Sequence, residues 1–205
     1  MNFLILGAGG IGSFYGTKLI ASGEDVIFVA REEHLKALQE YGLNLHHPKF
    51  NFYQKVKAYE LNKIKKEILY NIDAVILTTK SISTKTIAEE LSSLFDTKKR
   101  CPFIISLQNG VENEVILCNY FPKEKIICGL SRKIGAHIIK PGVIEVTGNV
   151  ETIIGAIEQT KENEEFISVF SEIINSSGIL CEVSNNIQLE LWKKLIKNKN
   201  WRTDV

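Results

Sequence analysis

Gly7-Ala8-Gly9-Gly10-Ile11-Gly12 is a G-x-G-x-x-G loop set between a short apolar run, Asn2–Leu6, and a segment whose apolar residues (Ile11, Phe14, Tyr15, Leu19) recur at helical spacing. Alone the pattern says little. Directly after a strand and at the opening of a helix, it is the phosphate-binding turn of a βαβ unit. Each glycine has a physical task. Gly7 permits the tight turn, Gly9 lets the backbone approach a pyrophosphate, and Gly12 lets helix and strand pack closely. Ala8, Gly10 and Ile11 complete the loop, and the unpaired N–H groups of the helix start favour an anion there. The alternative is a glycine-rich strand-to-helix turn that holds no ligand.

Strands and helices continue to alternate after this unit. Asp25–Ala30, Asp73–Thr79 and Pro102–Leu107 are continuous apolar runs suited to buried strands, and Glu32–Tyr41, Ser83–Phe95 and about Val111 to Tyr120 read as helices. Leu43–Lys57 alternates in part around Pro48 and fits a hairpin at a sheet edge. From Lys125 the texture changes. Ile126–Leu130, Lys133–Ile139, Val143–Thr147 and Thr152–Ala156 are strand-like, with a turn at Pro141-Gly142. Glu162–Ser176 is an amphipathic helix, Ile179–Val183 a strand, and Gln188–Asn198 a helix. The pattern predicts an α/β fold: a Rossmann-like, doubly wound, mostly parallel sheet with helices on both faces, plus a C-terminal helix stub. Its expected organisation is one domain over 1–186, with a separate helical start over 187–205.

Composition narrows the function classes. The 205 residues carry 25 basic and 24 acidic side chains for a net charge of +1, which leaves no electrostatic footprint for nucleic acid. No window approaches the ~20 apolar residues of a membrane span. The apolar N-terminus lacks a basic segment and is broken by its glycines, so it does not fit a signal peptide. Cys101, Cys118, Cys128 and Cys181 are irregularly spaced, with no metal-binding pattern, as expected for reduced thiols in a cytoplasmic protein. His46, His47 and His137 lack partners at metal or triad spacing and read as surface or packing residues.

Several further positions could carry chemistry. A dinucleotide site usually has an acidic residue about 20 residues after the loop, where it accepts from the ribose 2′-OH. Here the second strand ends Val29-Ala30-Arg31, and a guanidinium there would grip a 2′-phosphate, favouring NADPH over NADH. Arg31 could instead be a solvated helix-start residue paired with Glu32 or Glu33. Lys80 and Asn109 close two buried strands, and ligands of open parallel sheets bind outside such ends. Asn109-Gly110 could also be a simple turn. In the last helix, Lys194 and Asn198 share one face and Lys193 and Lys197 share another; spacing alone allows a cleft-facing pair or a solvated surface.

Taken together, LGAGGIGSFYG, VAREEHL, LTTKS, SLQNGVENE, IGAHIIKPGVI and LWKKLIKN resemble the N-terminal domain of the ketopantoate reductase family from Met1 to about Asn198. The resemblance implies reduction of the 2-dehydropantoate carbonyl with NADPH, giving pantoate for pantothenate synthesis. It implies that Gly7 to Gly12, Arg31, Lys80, Asn109 and Ala136 contact the cofactor. It also implies that Lys194 is catalytic and that Asn109, Lys194 and Asn198 contact a 2-oxoacid. After Asn198 the family pattern calls for a second asparagine and a proline; this chain has Arg202 at that position and no proline. The family's helical second domain is expected to be absent, as from a truncated or frame-shifted reading frame. Alternatives are a non-catalytic NADP(H)-binding module and a reductase of another 2-oxoacid. Leu191, Trp192, Leu195, Ile196 and Trp201 are expected to lie exposed and to promote homo-oligomers.

Overall fold

The computed structural model describes residues 1–95 and 100–200. In its first half the elements are β1 (Asn2–Leu6), α1 (Gly10–Ala21), β2 (Asp25–Val29), α2 (Glu32–Glu40), β3 (Leu43–His47), β4 (Phe50–Gln54), β5 (Lys57–Tyr59), α3 (Lys66–Tyr70), β6 (Ala74–Leu77), α4 (Thr84–Leu94), β7 (Phe103–Ser106) and α5 (Asn113–Leu117). The second half adds β8 (Ile126–Arg132), β9 (Gly135–Lys140), β10 (Val143–Thr147), β11 (Glu151–Ala156), α6 (Lys161–Ser176), β12 (Leu180–Val183) and α7 (Ile187–Asn200).

Eight strands form one sheet in the order β12-β11-β8-β7-β6-β1-β2-β5. From β5 to β8 all neighbours are parallel, while β11 runs antiparallel to β8 and carries β12 parallel to itself. The apolar runs explain the parallel arrangement, because each side of the sheet is covered. Phe3, Ile5, Phe28, Ile76, Ile105 and Ile127 face α1 and α6; Leu4, Leu6, Val29, Val75, Leu77 and Ile104 face α3, α4 and α5. The alternation of side chains along a strand thus divides one sheet between two cores. Phe103 stacks on Phe166 of α6 at 3.9 Å between ring centroids. Helix α6 starts on a capping box, with Thr160 and Asn163 each bonding the other's backbone.

A second sheet departs from the sequence reading. The hairpin at 43–57 is not an edge of the main sheet. β3 and β4 join β10 and β9 in the order β4-β3-β10-β9, with β3 and β10 parallel although a hundred residues separate them. Only β5, at the end of the expected hairpin, reaches the main sheet beside β2. Leu43, Leu45, Phe52, Ile144 and Val146 bury the inner side of the small sheet in the same core as α1. Helix α1 therefore lies between two sheets and is buried along most of its length, from Gly12 to Thr17 and again at Leu19. Its Tyr15 hydroxyl bonds Ser131 at 2.7 Å and Thr152 at 2.6 Å, and burial pushes the phenol up to about 12. The helix expected from Val111 to Tyr120 shortens to the five residues of α5.

Candidate functional site

The glycine loop is pinched at three positions and open at one. Gly7 has φ +99°, a left-handed turn that glycine adopts at no steric cost, and its carbonyl accepts from Thr78 Oγ1 at 2.7 Å. A Cβ on Gly12 would lie 2.1 Å from the Gly7 carbonyl oxygen, and one on Gly10 would lie 2.7 Å from Ala136. At Gly9 a Cβ would meet nothing within 4 Å. The two close approaches close the loop on itself beside Thr78 and seat it on Ala136 of β9, while Gly9 turns its Cα to open space, as a pyrophosphate cradle requires.

His34, on the first turn of α2, braces this loop from the far side. Its Nδ1 accepts from the Gly142 N–H at 3.2 Å, so Nε2 carries the proton that it donates to the Ala8 carbonyl at 2.7 Å. Burial pulls its pKa below the ordinary histidine value, which keeps the ring in the neutral form that can make both bonds. Sequence reasoning missed this residue: its partners lie 26 and 108 positions away, and nothing local marks it.

Beside the loop opens a cavity of about 520 Å³, bordered by Gly7, Ala8, Gly9, Arg31, His34 and Thr79 and flanked by Ile82 and Ile138. Arg31 stands at the carboxyl end of β2, as expected. It pairs with neither Glu32 nor Glu33 but loosely with Glu90 of α4 at 3.9 Å, and its side chain is 73% exposed. An exposed pair of that length is worth little in water, so the guanidinium stays available to an anion. Glu32, which follows it, holds φ +53°, a left-handed conformation that costs a non-glycine residue about 1 kcal/mol or more.

A second cavity, about 780 Å³, opens at the carboxyl ends of β7 and β8. Ile11 of the glycine loop borders it, with Asn109, Arg132, Lys193, Lys194, Lys197 and Asn198. Helix α7 is seated here because Ile187 and Leu191 pack on Cys128, Leu130 and Ile153 of the sheet. This brings Lys194 Nζ to Asn109 Oδ1, to which it donates at 2.8 Å. Burial first, and the Arg132 guanidinium second, pull the lysine from 10.5 down to about 8. Lys193 donates to Glu190 at 2.8 Å and Arg132 donates to the same carboxylate at 2.6 Å, together holding it below the usual carboxylate range. Lys133 pairs with Glu151 on the opposite rim. The cavity is strongly basic and suits an anion.

Most of the expected site residues thus meet at two adjoining cavities. Gly7, Ala8, Gly9 and Arg31 border the first and Ile11 the second, Gly10 and Gly12 pack behind the loop with Ala136 against Gly10, and Asn109, Lys194 and Asn198 share the second. Lys80 does not join them: β6 ends at Leu77, Thr78 and Thr79 occupy the strand end, and Lys80 lies exposed before the following turn of helix, bordering neither cavity. Lys193 and Lys197, candidates for a separate solvated face, border the second cavity beside Lys194 and Asn198. The expected apolar surface of α7 is partly corrected. Leu191 is 3% exposed against the sheet and Leu195 is half-buried, whereas Trp192 and Ile196 are exposed; Trp201 and Arg202 lie outside the described residues. His47 stacks on Phe50 at 4.8 Å, a packing role. Cys128 and Cys181 are buried, Cys101 and Cys118 half-buried, and burial pushes each thiol up. Among the described residues no group of three His, Cys, Asp or Glu could hold a metal, and no helix is long and apolar enough to cross a membrane.

Comparison with known proteins bears on this geometry. The family model described as "Ketopantoate reductase PanE/ApbA" matches residues 3–159. A 2-dehydropantoate 2-reductase from Pyrococcus abyssi is 37% identical over 198 residues, covering 97% of this chain and 61% of the relative. The chain therefore spans about three-fifths of the length of the curated relatives it matches. Among solved structures, a 2-dehydropantoate 2-reductase from Geobacter metallireducens superposes with a TM-score of 0.84 at 27% identity, covering 97% of this chain and 62% of that one. A D-mandelate dehydrogenase solved with NADH and anilino(oxo)acetate shares the fold, with a TM-score of 0.83 at 24% identity, covering 95% of this chain and 60% of that one.

Proposed function

The chain belongs to the ketopantoate reductase family, and from that premise we propose that it carries the NADPH-binding half and the proton donor of a 2-oxoacid reductase. The residues fit the cofactor: Gly9 leaves its cradle open, and Arg31, exposed and only loosely paired with Glu90, stands where a 2′-phosphate would lie. The bound dinucleotide supplies the hydride that a 2-oxoacid carbonyl carbon accepts. The remaining work falls to this chain's own side chains. As charge builds on the carbonyl oxygen, the Lys194 ammonium stabilises it and gives up a proton from Nζ. Asn109 Oδ1 accepts from the same Nζ and so aims it. Asn198, one helical turn on, faces the same space and is placed to contact the substrate, and the surrounding cations favour its carboxylate. Ala136, packed on Gly10, completes the cofactor contacts in this reading, whereas Lys80 borders neither cavity and is left out of them. In this reading residues 1–186 form its dinucleotide-binding unit, and α7 from Ile187 opens a helical one.

The observation that carries the proposal is the Lys194–Asn109 bond at the mouth of a basic cavity beside the glycine loop. The substrate we assign is 2-dehydropantoate, reduced to pantoate. The test pairs NADPH binding, followed by fluorescence, with NADPH oxidation in the presence of 2-dehydropantoate. Binding with turnover supports the assignment. Binding without turnover makes the chain an NADP(H)-binding module, and turnover with a different 2-oxoacid reassigns the substrate. The exposed Trp192 and Ile196 favour self-association of this chain, which sedimentation across a concentration series reads directly.

A further inference from the structure

Asn109 belongs to an exposed loop after β7, yet its side chain is the acceptor that meets Lys194. Beneath that loop runs a line of polar side chains drawn from the segments just after β6 and β7 and from α4 and α5. Gln108 Nε2, with two N–H protons, has three acceptors in reach: the carbonyl oxygen and Oγ1 of Thr79, both at 3.1 Å, and Thr84 Oγ1 at 3.0 Å. The single Thr84 hydroxyl proton has two acceptors in reach, Asn113 Oδ1 at 2.9 Å and the Ser81 carbonyl at 2.8 Å. Asn113 Nδ2 in turn donates to the Asn109 backbone carbonyl at 3.1 Å. Gln108, Thr84 and Asn113 are all buried. Thr79 borders the glycine-loop cavity and Asn109 the lysine cavity, so the line runs from one to the other.

Buried hydrogen bonds of this kind are strengthened by the low local dielectric, and losing one member strands its partners without water to replace it. An exposed loop alone does not hold a reacting group within the fraction of an ångström that catalysis needs. Resting on the assignment of Lys194 as proton donor, we propose that Gln108, Thr84 and Asn113 are positioning residues that latch the Asn109 loop and thereby aim the Lys194 amine.

The latch is testable without turnover, so the fate of the reductase reading does not decide it. Acetic anhydride labels unprotonated amines, and mass spectrometry of Lys194 across pH gives the midpoint of its titration in the whole chain. The charged groups around it are Arg132 of β8, Glu151 of β11, Lys133 between β8 and β9, and Glu190, Lys193 and Lys197 of α7 itself. Asn109→Ala removes an acceptor from the ammonium and lowers the midpoint by about half a pH unit or more. Thr84→Val, which keeps shape and loses the hydroxyl, shifts it in the same direction. Thr84→Ser restores it, and Thr84→Val adds nothing to Asn109→Ala. A Thr84→Val chain with the wild-type midpoint, or one whose shift is equally large in the Asn109→Ala background, overturns the latch. Should Thr84→Val fail to fold, Asn113→Ala cuts the last link alone and is judged by the same two results.

Discussion

The two cavities are built by opposite means. The glycine-loop cavity is made by backbone: Gly7 turns, Gly10 and Gly12 are pressed against neighbours, and Gly9 is left bare. About half of its lining comes from the first βαβ unit, at 6–9 and 29–34, and the rest from Leu61, 79–87 and Ile138. The lysine cavity is made by side chains from five separate stretches, Ile11 and those around 107–109, 131–134, 151 and 193–198. Backbone cradles tolerate almost no substitution and hold whatever anion fits. Charged side-chain cavities are adjustable, and cofactor specificity and chemistry are set where the residues differ. That division predicts where a mutation costs the fold and where it costs only function.

The largest effect is expected inside the glycine loop itself. Gly12→Ala drives a methyl into the Gly7 carbonyl and Thr78, and should cost about 3 kcal/mol in denaturant unfolding and abolish NADPH binding. Gly9→Ala meets no protein atom, so unfolding should change by less than about 1 kcal/mol while NADPH affinity collapses. Equal destabilisation of the two variants would break the distinction between a packed and an open glycine. Next comes Lys194→Met, expected to lower any turnover about a hundredfold or more while leaving NADPH affinity intact. Because folding disfavours the charged amine, wild-type stability should rise with pH between about 8 and 10.5. The methionine variant should therefore be the more stable chain at neutral pH and lose that advantage above the ordinary lysine range.

Much of the first cavity was legible in the sequence because its signal is contiguous. A glycine pattern between an apolar strand and a helix fixes turn, dipole and cradle at once, and Arg31 follows at the end of the next strand. The second sheet was not legible. β3 and β10 pair across a hundred residues, and no local pattern records which strand a distant strand will join. The same non-locality hid His34 and Arg132, whose partners come from other elements. Lys194 and Asn198 were placed by their spacing and by family likeness, but their meeting with Asn109 depends on α7 docking through Ile187 and Leu191.

Smaller effects sharpen the contrast. Arg31→Ala should weaken NADPH about tenfold and leave NADH nearly unchanged in parallel titrations, since only the former offers a 2′-phosphate to the guanidinium. On α5, Glu114 is buried with both carboxyl oxygens unbonded, and burial raises its pKa. The folded state then binds its proton more tightly than the unfolded chain, so stability falls as pH rises above the ordinary carboxylate range. Glu114→Gln, neutral at every pH, should melt slightly higher than wild type, by a margin that grows from acid to neutral pH. A constant margin would show that the carboxyl stays unperturbed in the fold.

The central claim is that the two cavities are two ends of one dinucleotide-dependent site. Anhydride labelling of Lys194 during a titration with NADPH, and with adenosine 2′,5′-bisphosphate as its adenine half, tests this directly. NADPH should slow Lys194 labelling as it saturates, while the bisphosphate should compete with NADPH for the glycine loop and leave Lys194 as reactive as in the free chain. NADPH that binds tightly without altering Lys194 labelling would contradict the claim and leave the two cavities as separate sites.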